Sequence, residues 1–130
     1  MNKKTITILA IVIAIASVSF FSGLVMGQNG LKTPKTVIHH VTLKWKDGTA
    51  DADKQKAMDW LKEIVADTPG ALNMWSKSIK VQPKEYSQTF VVEFENEDAL
   101  KAYANHPKKK EWEDFYYNIR ETSYNCVTTN

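Results

Sequence analysis

The strongest pattern in the chain is the alternation over Val37 to Lys46 (VIHHVTLKWK). Its odd positions Val37, His39, Val41, Leu43 and Trp45 share one side of an extended chain, and Ile38, His40, Thr42, Lys44 and Lys46 share the other. A strand is predicted, with one face apolar apart from a single imidazole and the other apolar only in its first half. The period then changes. Ala57, Trp60, Leu61, Ile64 and Val65 fall at i, i+3, i+4, i+7 and i+8, one face of a helix. Asp47-Gly48-Thr49 turns the chain into that helix, with Thr49 as the expected N-cap and Asp51 and Asp53 suited to the positive end of the dipole. Thr68-Pro69-Gly70 ends it.

Ala71 to Val81 alternates again, with Trp75, Ile79 and Val81 on one side and Met74, Ser76, Ser78 and Lys80 on the other, and predicts a second strand. Gln82 to Ser87, with Pro83, predicts a loop, and Thr89 to Glu95 a third strand presenting Phe90, Val92 and Phe94 together. Asn96 suits the cap of a helix over Glu97 to Asn105 that turns Ala99, Leu100 and Tyr103 inward. His106-Pro107 breaks it and starts a third helix, on which Trp112, Phe115, Tyr116 and Ile119 keep helical spacing. A last strand is expected over Thr122 to Thr128, with Tyr124 and Cys126 on one face.

Strand, helix, strand, strand, helix, helix, strand is the order of an α+β, ferredoxin-like fold, a four-stranded antiparallel sheet with helices on one face. The other face is expected to hold Ile38, His40, Thr42 and Val91, together with Ser76 and Ser78. It is too apolar at one end to stay wet and too polar for a core, so a second copy of the same sheet is its natural cover. Ile38, His40, Thr42 and Val91 are thus the expected dimer interface.

Ahead of this domain, Lys3 and Lys4 precede an almost unbroken apolar run from Ile6 to Phe21. Two expectations stand for residues 1–27: a signal peptide cleaved after Gly27, or a retained membrane anchor, since the 22 residues Thr5 to Met26 at about 1.5 Å each reach across a hydrocarbon core of roughly 30 Å. Both place the domain in the cell envelope, exported or tethered outside the cytoplasm. Residues 28–36 read as a polar linker and 37–128 as the domain.

Without residues 1–27 the chain holds 15 basic and 15 acidic side chains. That neutral balance argues against a nucleic-acid partner. The single cysteine, Cys126, forms no intrachain disulfide and is expected as a small core filler. No phosphate loop, dinucleotide glycine fingerprint, CxxC, HExxH or nucleophile elbow occurs, and neither a cofactor nor a metal is expected. His39 and His40 do not share one metal, because neighbouring strand residues point to opposite faces.

HHVTLKWKDGT at 39–49, Pro69-Gly70, TFVVEFENEDALKAY at 89–103 and the His106-Pro107 pair together resemble the stress-responsive A/B barrel (Dabb) family, in the same order and spacing over 37–128. The resemblance implies a ferredoxin-like protomer whose sheet packs on a partner's to form a dimeric α+β barrel. It also implies one of two kinds of protein, aromatic-polyketide cyclases or stress-associated proteins with no assigned reaction. The cyclase type uses a tyrosine of the second helix, a histidine two residues after the HP proline and a strand-one histidine. Tyr103 and His39 match, whereas Lys109 stands at the second histidine's place. A lysine is a poor base near neutral pH unless burial lowers its pKa, so the expectation leans away from catalysis.

His39 has two readings, a core histidine satisfied by a backbone carbonyl or by Tyr103, and a hydrogen-bonding handle for a ligand. His39, Val41, Leu43, Leu61, Phe90, Tyr103, Trp112 and Phe115 are the expected walls of a pocket for a small apolar or aromatic molecule. Lys108, Lys109 and Lys110 are expected on a solvated face, and His106 is expected to cap the third helix or face solvent. Glu93 and Glu95 read as exposed edge or interface residues. Three functions follow: a ligand-binding dimeric barrel, a cofactor-free cyclase or isomerase with Tyr103 as acid and His39 as base, and a structural stress protein filled by its own aromatics.

Overall fold

The computed structural model describes residues 34–129 of the chain. The leader expected over 1–27, and most of the linker expected over 28–36, lie outside the described residues. The elements are β1 (Val37–Trp45), α1 (Asp51–Ala66), β2 (Ala71–Trp75), β3 (Gln88–Phe94), α2 (Glu97–Ala104), α3 (Lys109–Ile119) and β4 (Arg120–Thr129). The sheet is antiparallel in the order β2-β3-β1-β4, the ferredoxin-like arrangement, with β1 and β3 central. Among the described residues no helix is long and apolar enough to cross a membrane.

The alternation in β1 and the helical period in α1 build one core. Val37, Val41, Leu43 and Trp45 face α1 through Ala57, Met58, Leu61, Ile64 and Val65, and β3 adds Phe90, Val92 and Phe94. Tyr103 of α2 and Trp112 and Tyr116 of α3 close its other side. The Trp112 indole N–H donates to the Ala57 carbonyl at 2.8 Å, which joins α3 to α1. Asn96 caps α2 as expected, its side chain accepting from the Ala99 N–H at 3.0 Å.

Gly70 fixes how α2 lies on the sheet. Its φ is +78°, and a Cβ there would come within 2.6 Å of the Ala99 Cβ, so both backbone and space require glycine.

Four expectations about local structure are corrected. Thr49 does not cap α1. Ala50 takes the N-cap position with no side-chain hydrogen bond, and the Thr49 hydroxyl donates to the Lys46 carbonyl at 2.7 Å, closing the preceding turn instead. The second strand stops at Trp75 rather than Val81. Beyond it the Ser78 hydroxyl accepts the Thr89 N–H at 2.9 Å, so a side chain takes the donor that a longer ladder would use. A register shift between Ala71 and Asn73 turns Met74 toward the core and Trp75 to the opposite, open face, where Trp75 is 52% exposed, the reverse of the expected sidedness. Cys126 is exposed rather than a core filler. It pairs with His40 in register and shares that residue's open face.

Candidate functional site

β4 is the edge strand beside β1, and its inward side is comparatively polar. Ser123, Asn125 and Val127 pair with Leu43, Val41 and His39 of β1 and share their side of the sheet. Between this edge and helices α2 and α3 lies a cavity of about 320 Å³. Its floor includes His39, Val41 and Phe90, and its helical wall includes Tyr103, Lys109 and Trp112.

Of the eight residues expected around a pocket, His39, Val41, Phe90, Tyr103 and Trp112 line this cavity. Leu43 and Leu61 are fully buried in the closed core, where β1 meets α1. Phe115 turns away from the cavity toward α1, its ring 6.2 Å from that of Trp60 and 4.6 Å from the Lys56 ammonium.

Lys109 overturns the expectation of a solvated lysine run. It is 8% exposed, while Lys108 and Lys110 on either side are exposed. Its ammonium donates to the Tyr103 hydroxyl oxygen at 3.0 Å and stands 4.4 Å from the Tyr103 ring and 4.0 Å from the Trp112 ring. The physical reason is helical geometry. Lys109, Trp112 and Tyr116 fall at i, i+3 and i+7, one face of α3, and that face is the buried one. Burial pulls the Lys109 pKa down to about 8, against an opposing pull from Glu113, whose carboxylate lies 3.8 Å away.

Tyr103 accepts from Lys109 and so keeps its own O–H to donate elsewhere. Burial raises its pKa above the ordinary tyrosine value, so it is a phenol throughout the neutral range. The His39 ring lies 6.1 Å from the Tyr103 ring and edge-on to Phe90 at 6.3 Å. Its Nδ1 is buried and finds no hydrogen-bond partner among the described residues, so neither a carbonyl nor Tyr103 satisfies that nitrogen. Burial, with the charge of Lys109 second, lowers the His39 pKa and keeps the ring neutral at pH 7. One wall of the cavity therefore carries a phenolic donor and the floor carries a neutral imidazole.

Tyr116, one of the aromatic residues that the helical spacing brings together on α3, and Arg120, which sequence reasoning missed, complete the far side. Arg120 begins β4, its guanidinium lies 4.6 Å from the Tyr117 ring and 5.2 Å from the Tyr116 ring, and one of its terminal amines donates to the Ser123 hydroxyl. Tyr116 stacks on Trp112 with ring centres 4.6 Å apart. Arg120 lies four residues after Tyr116, a spacing that offers a sequence signal for it.

His106 lies away from the cavity. Its Nδ1 accepts the Lys108 N–H at 3.2 Å and its Nε2 meets the Asp67 carboxylate at 3.1 Å, so it caps the start of α3 and ties it to the end of α1. Ile38, His40, Thr42 and Val91 all lie on the open face of the sheet, with Trp75 and with Tyr124, which is 68% exposed. Glu93 shares that face and accepts from the Asn73 amide at 2.7 Å. Among the described residues no group of His, Cys, Asp and Glu is placed to hold a metal ion.

Similar folds occur in proteins of several kinds. A dimeric protein of unknown function from Bacteroides fragilis, of ferredoxin-like fold, is 19% identical, with 76% of this chain covering 100% of that one at a TM-score of 0.60. SnoaB, a cofactor-independent oxygenase from Streptomyces nogalater, is 14% identical over 74% of this chain and 93% of its own, with a TM-score of 0.62. A hydroxynitrile lyase from Passiflora edulis is 11% identical over 73% of this chain and 93% of its own, with a TM-score of 0.63. At these identities the likeness is one of fold. No curated protein sequence matches the chain. Residues 37–124 match the model of the stress-responsive A/B barrel domain, Dabb, a span that takes in the cavity's lining as far as Ser123, and the chain belongs to that family.

Proposed function

We propose that this protein is a dimeric A/B barrel of the cell envelope whose cavity binds a small apolar or aromatic molecule. The observation that carries the reading is the cavity of about 320 Å³ between sheet and helices, large enough for a small ligand, with ring faces on its walls and polar groups such as His39, Tyr103 and Asn125 among them. A structural protein filled by its own aromatics would have no use for that space, nor for an unpartnered imidazole nitrogen on its floor.

The dimer is supported by the open face. Ile38, Thr42 and Val91 lie there beside exposed Trp75 and Tyr124, an apolar surface that water covers poorly, and the Bacteroides fragilis relative of the same fold is dimeric. The envelope location rests on the basic and apolar leader at residues 1–27.

A second reading is a cofactor-free enzyme, favoured by Tyr103 and His39 meeting at one cavity. Tyr103 would give its proton to a developing oxyanion while neutral His39 takes one from carbon. The cofactor-independent oxygenase and the hydroxynitrile lyase that share the fold make such chemistry a natural second candidate.

Native mass spectrometry of the full chain isolated from its own cells tests the first reading. It should give the mass of two copies, each cut at the leader or carrying it, with a small molecule retained. Lone protomers of bare mass would contradict it. Turnover of that molecule, abolished by Tyr103→Phe with binding intact, would favour the second.

A further inference from the structure

The cavity wall carries more positive charge than its own carboxylates neutralise. Lys109 and Arg120 both line it, and Glu113 is the one acidic residue among the described residues that does. Glu113 stands off from Lys109 at 3.8 Å, too long for a hydrogen bond, and its side chain is partly in solvent. The close neighbours of the Lys109 ammonium are instead a neutral hydroxyl and two ring faces. Arg120 makes no ion pair among the described residues. Its neighbours are the Tyr116 and Tyr117 rings and the Ser123 hydroxyl, and its buried Nε has no hydrogen-bond partner there.

A desolvated cation without a close counter-charge is costly, and an anion delivered to it recovers much of that cost. Guanidinium presents a planar fork that a carboxylate matches, and with Glu113 set against Lys109 and Arg120 the wall is left with one net positive charge, which suits a monoanion such as a carboxylate better than a divalent anion. The remaining wall, Trp112, Tyr116, Phe90 and Val41, suits an aromatic ring attached to it.

We infer that the occupant of the cavity is an aromatic carboxylate, its ring against Trp112 and Phe90 and its acid group held by Lys109 and Arg120. This rests on the ligand-binding reading above and names the ligand class. Tyr103 and Lys109 then work together: the ammonium holds the phenol oxygen as acceptor and leaves its O–H to donate into the cavity. A matching aromatic amine is excluded by the same two charges.

The test is calorimetric titration of the full-length chain at pH 7 with 1-naphthoate and 1-naphthamide, which share ring and shape and differ in charge. Naphthoate is expected to bind at least tenfold more tightly. Lys109→Met and Arg120→Met should each cut that preference below threefold, while Lys109→Arg and Arg120→Lys should keep it. Ala104→Trp, at the cavity wall, should weaken both probes. Equal binding of the two probes overturns the carboxylate inference and leaves the cavity reading standing. A preference that survives in the double Met variant, or naphthoate binding untouched by Ala104→Trp, places the anion elsewhere and overturns it too. Failure of both probes to bind overturns the cavity reading and this inference with it.

Discussion

The Lys109 ammonium donates a 3.0 Å hydrogen bond to the Tyr103 hydroxyl, and this one contact joins α2 to α3 at the cavity wall. It places a cation between two ring faces, away from bulk water, in a helix whose two neighbouring lysines are exposed. Tyr103 is thereby oriented by a charge rather than by another side chain's tautomer.

Removing the ammonium should help or leave stability unchanged if its shape is kept, because a well-packed apolar side chain of similar length replaces a desolvated charge. Lys109→Met is expected to change unfolding free energy by less than about 1 kcal/mol, or to raise it. Lys109→Ala, which also empties the space between the Tyr103 and Trp112 rings, should cost about 1–3 kcal/mol. Urea unfolding of the two variants decides the matter, and equal loss in both would show that the charge itself stabilises the fold.

The titration of these groups gives stability a pH signature. The Lys109 pKa falls from its ordinary 10.5 to about 8 on folding, so between those values the unfolded chain holds a proton that the folded chain has released, and stability rises with pH. Of the groups around it, Glu113 opposes the shift, and Tyr103, raised above its ordinary 10.0, reverses the slope above that pH because the folded chain then keeps a proton that the unfolded one loses. His39, lowered from 6.5, makes stability fall as pH drops below that value, since the folded chain resists the proton. From pH 8 to 9.5 the gain should be on the order of 1–2 kcal/mol in the wild type and absent in Lys109→Met, as read from paired urea melts.

Two glycines with the same φ should differ in tolerance. Gly48 and Gly70 both have φ of +78°, but a Cβ at Gly48 meets open space and one at Gly70 meets the Ala99 Cβ at 2.6 Å. Gly48→Ala is expected to cost about 1 kcal/mol from backbone conformation alone. Gly70→Ala adds a backbone shift of α2 against β2 and should cost roughly 2–4 kcal/mol. Thermal melts that rank them the other way would contradict the packing described for α2.

The open face should reject charge. Val91 lies at its centre on β3, opposite His40 of β1 and Trp75 of β2. Val91→Lys is expected to halve the mass measured by light scattering and leave the far-ultraviolet dichroism unchanged, since the side chain touches no part of the protomer's own core. An unchanged mass would move the dimer interface elsewhere.

The order of elements is legible in the sequence because the period switches cleanly from two in β1 to 3.6 in α1, and because Asn96 and His106-Pro107 mark the ends of α2. Much of the cavity is legible too, since His39, Val41, Phe90, Tyr103 and Trp112 follow from face assignment. Lys109 is hidden by its neighbours, because three lysines in a row suggest a solvated surface although the helix assigns them to different faces. Arg120 is hidden because it belongs to a helix end and a strand start at once. β2 misleads because a bulge after Ala71 changes which side Trp75 takes, and alternation cannot register an inserted residue.

The four tryptophans allow the most direct measurement of whether the cavity is a binding site, because their indole N–H signals separate by place: Trp45 and Trp112 are buried, Trp60 packs beside Phe115, and Trp75 is on the open face. On titrating the 15N-labelled full-length protein with 1-naphthamide, Trp112, which lines the cavity, should show the largest shift and Trp75 almost none. A saturating titration that moves Trp75 and leaves Trp112 in place would contradict ligand binding between sheet and helices.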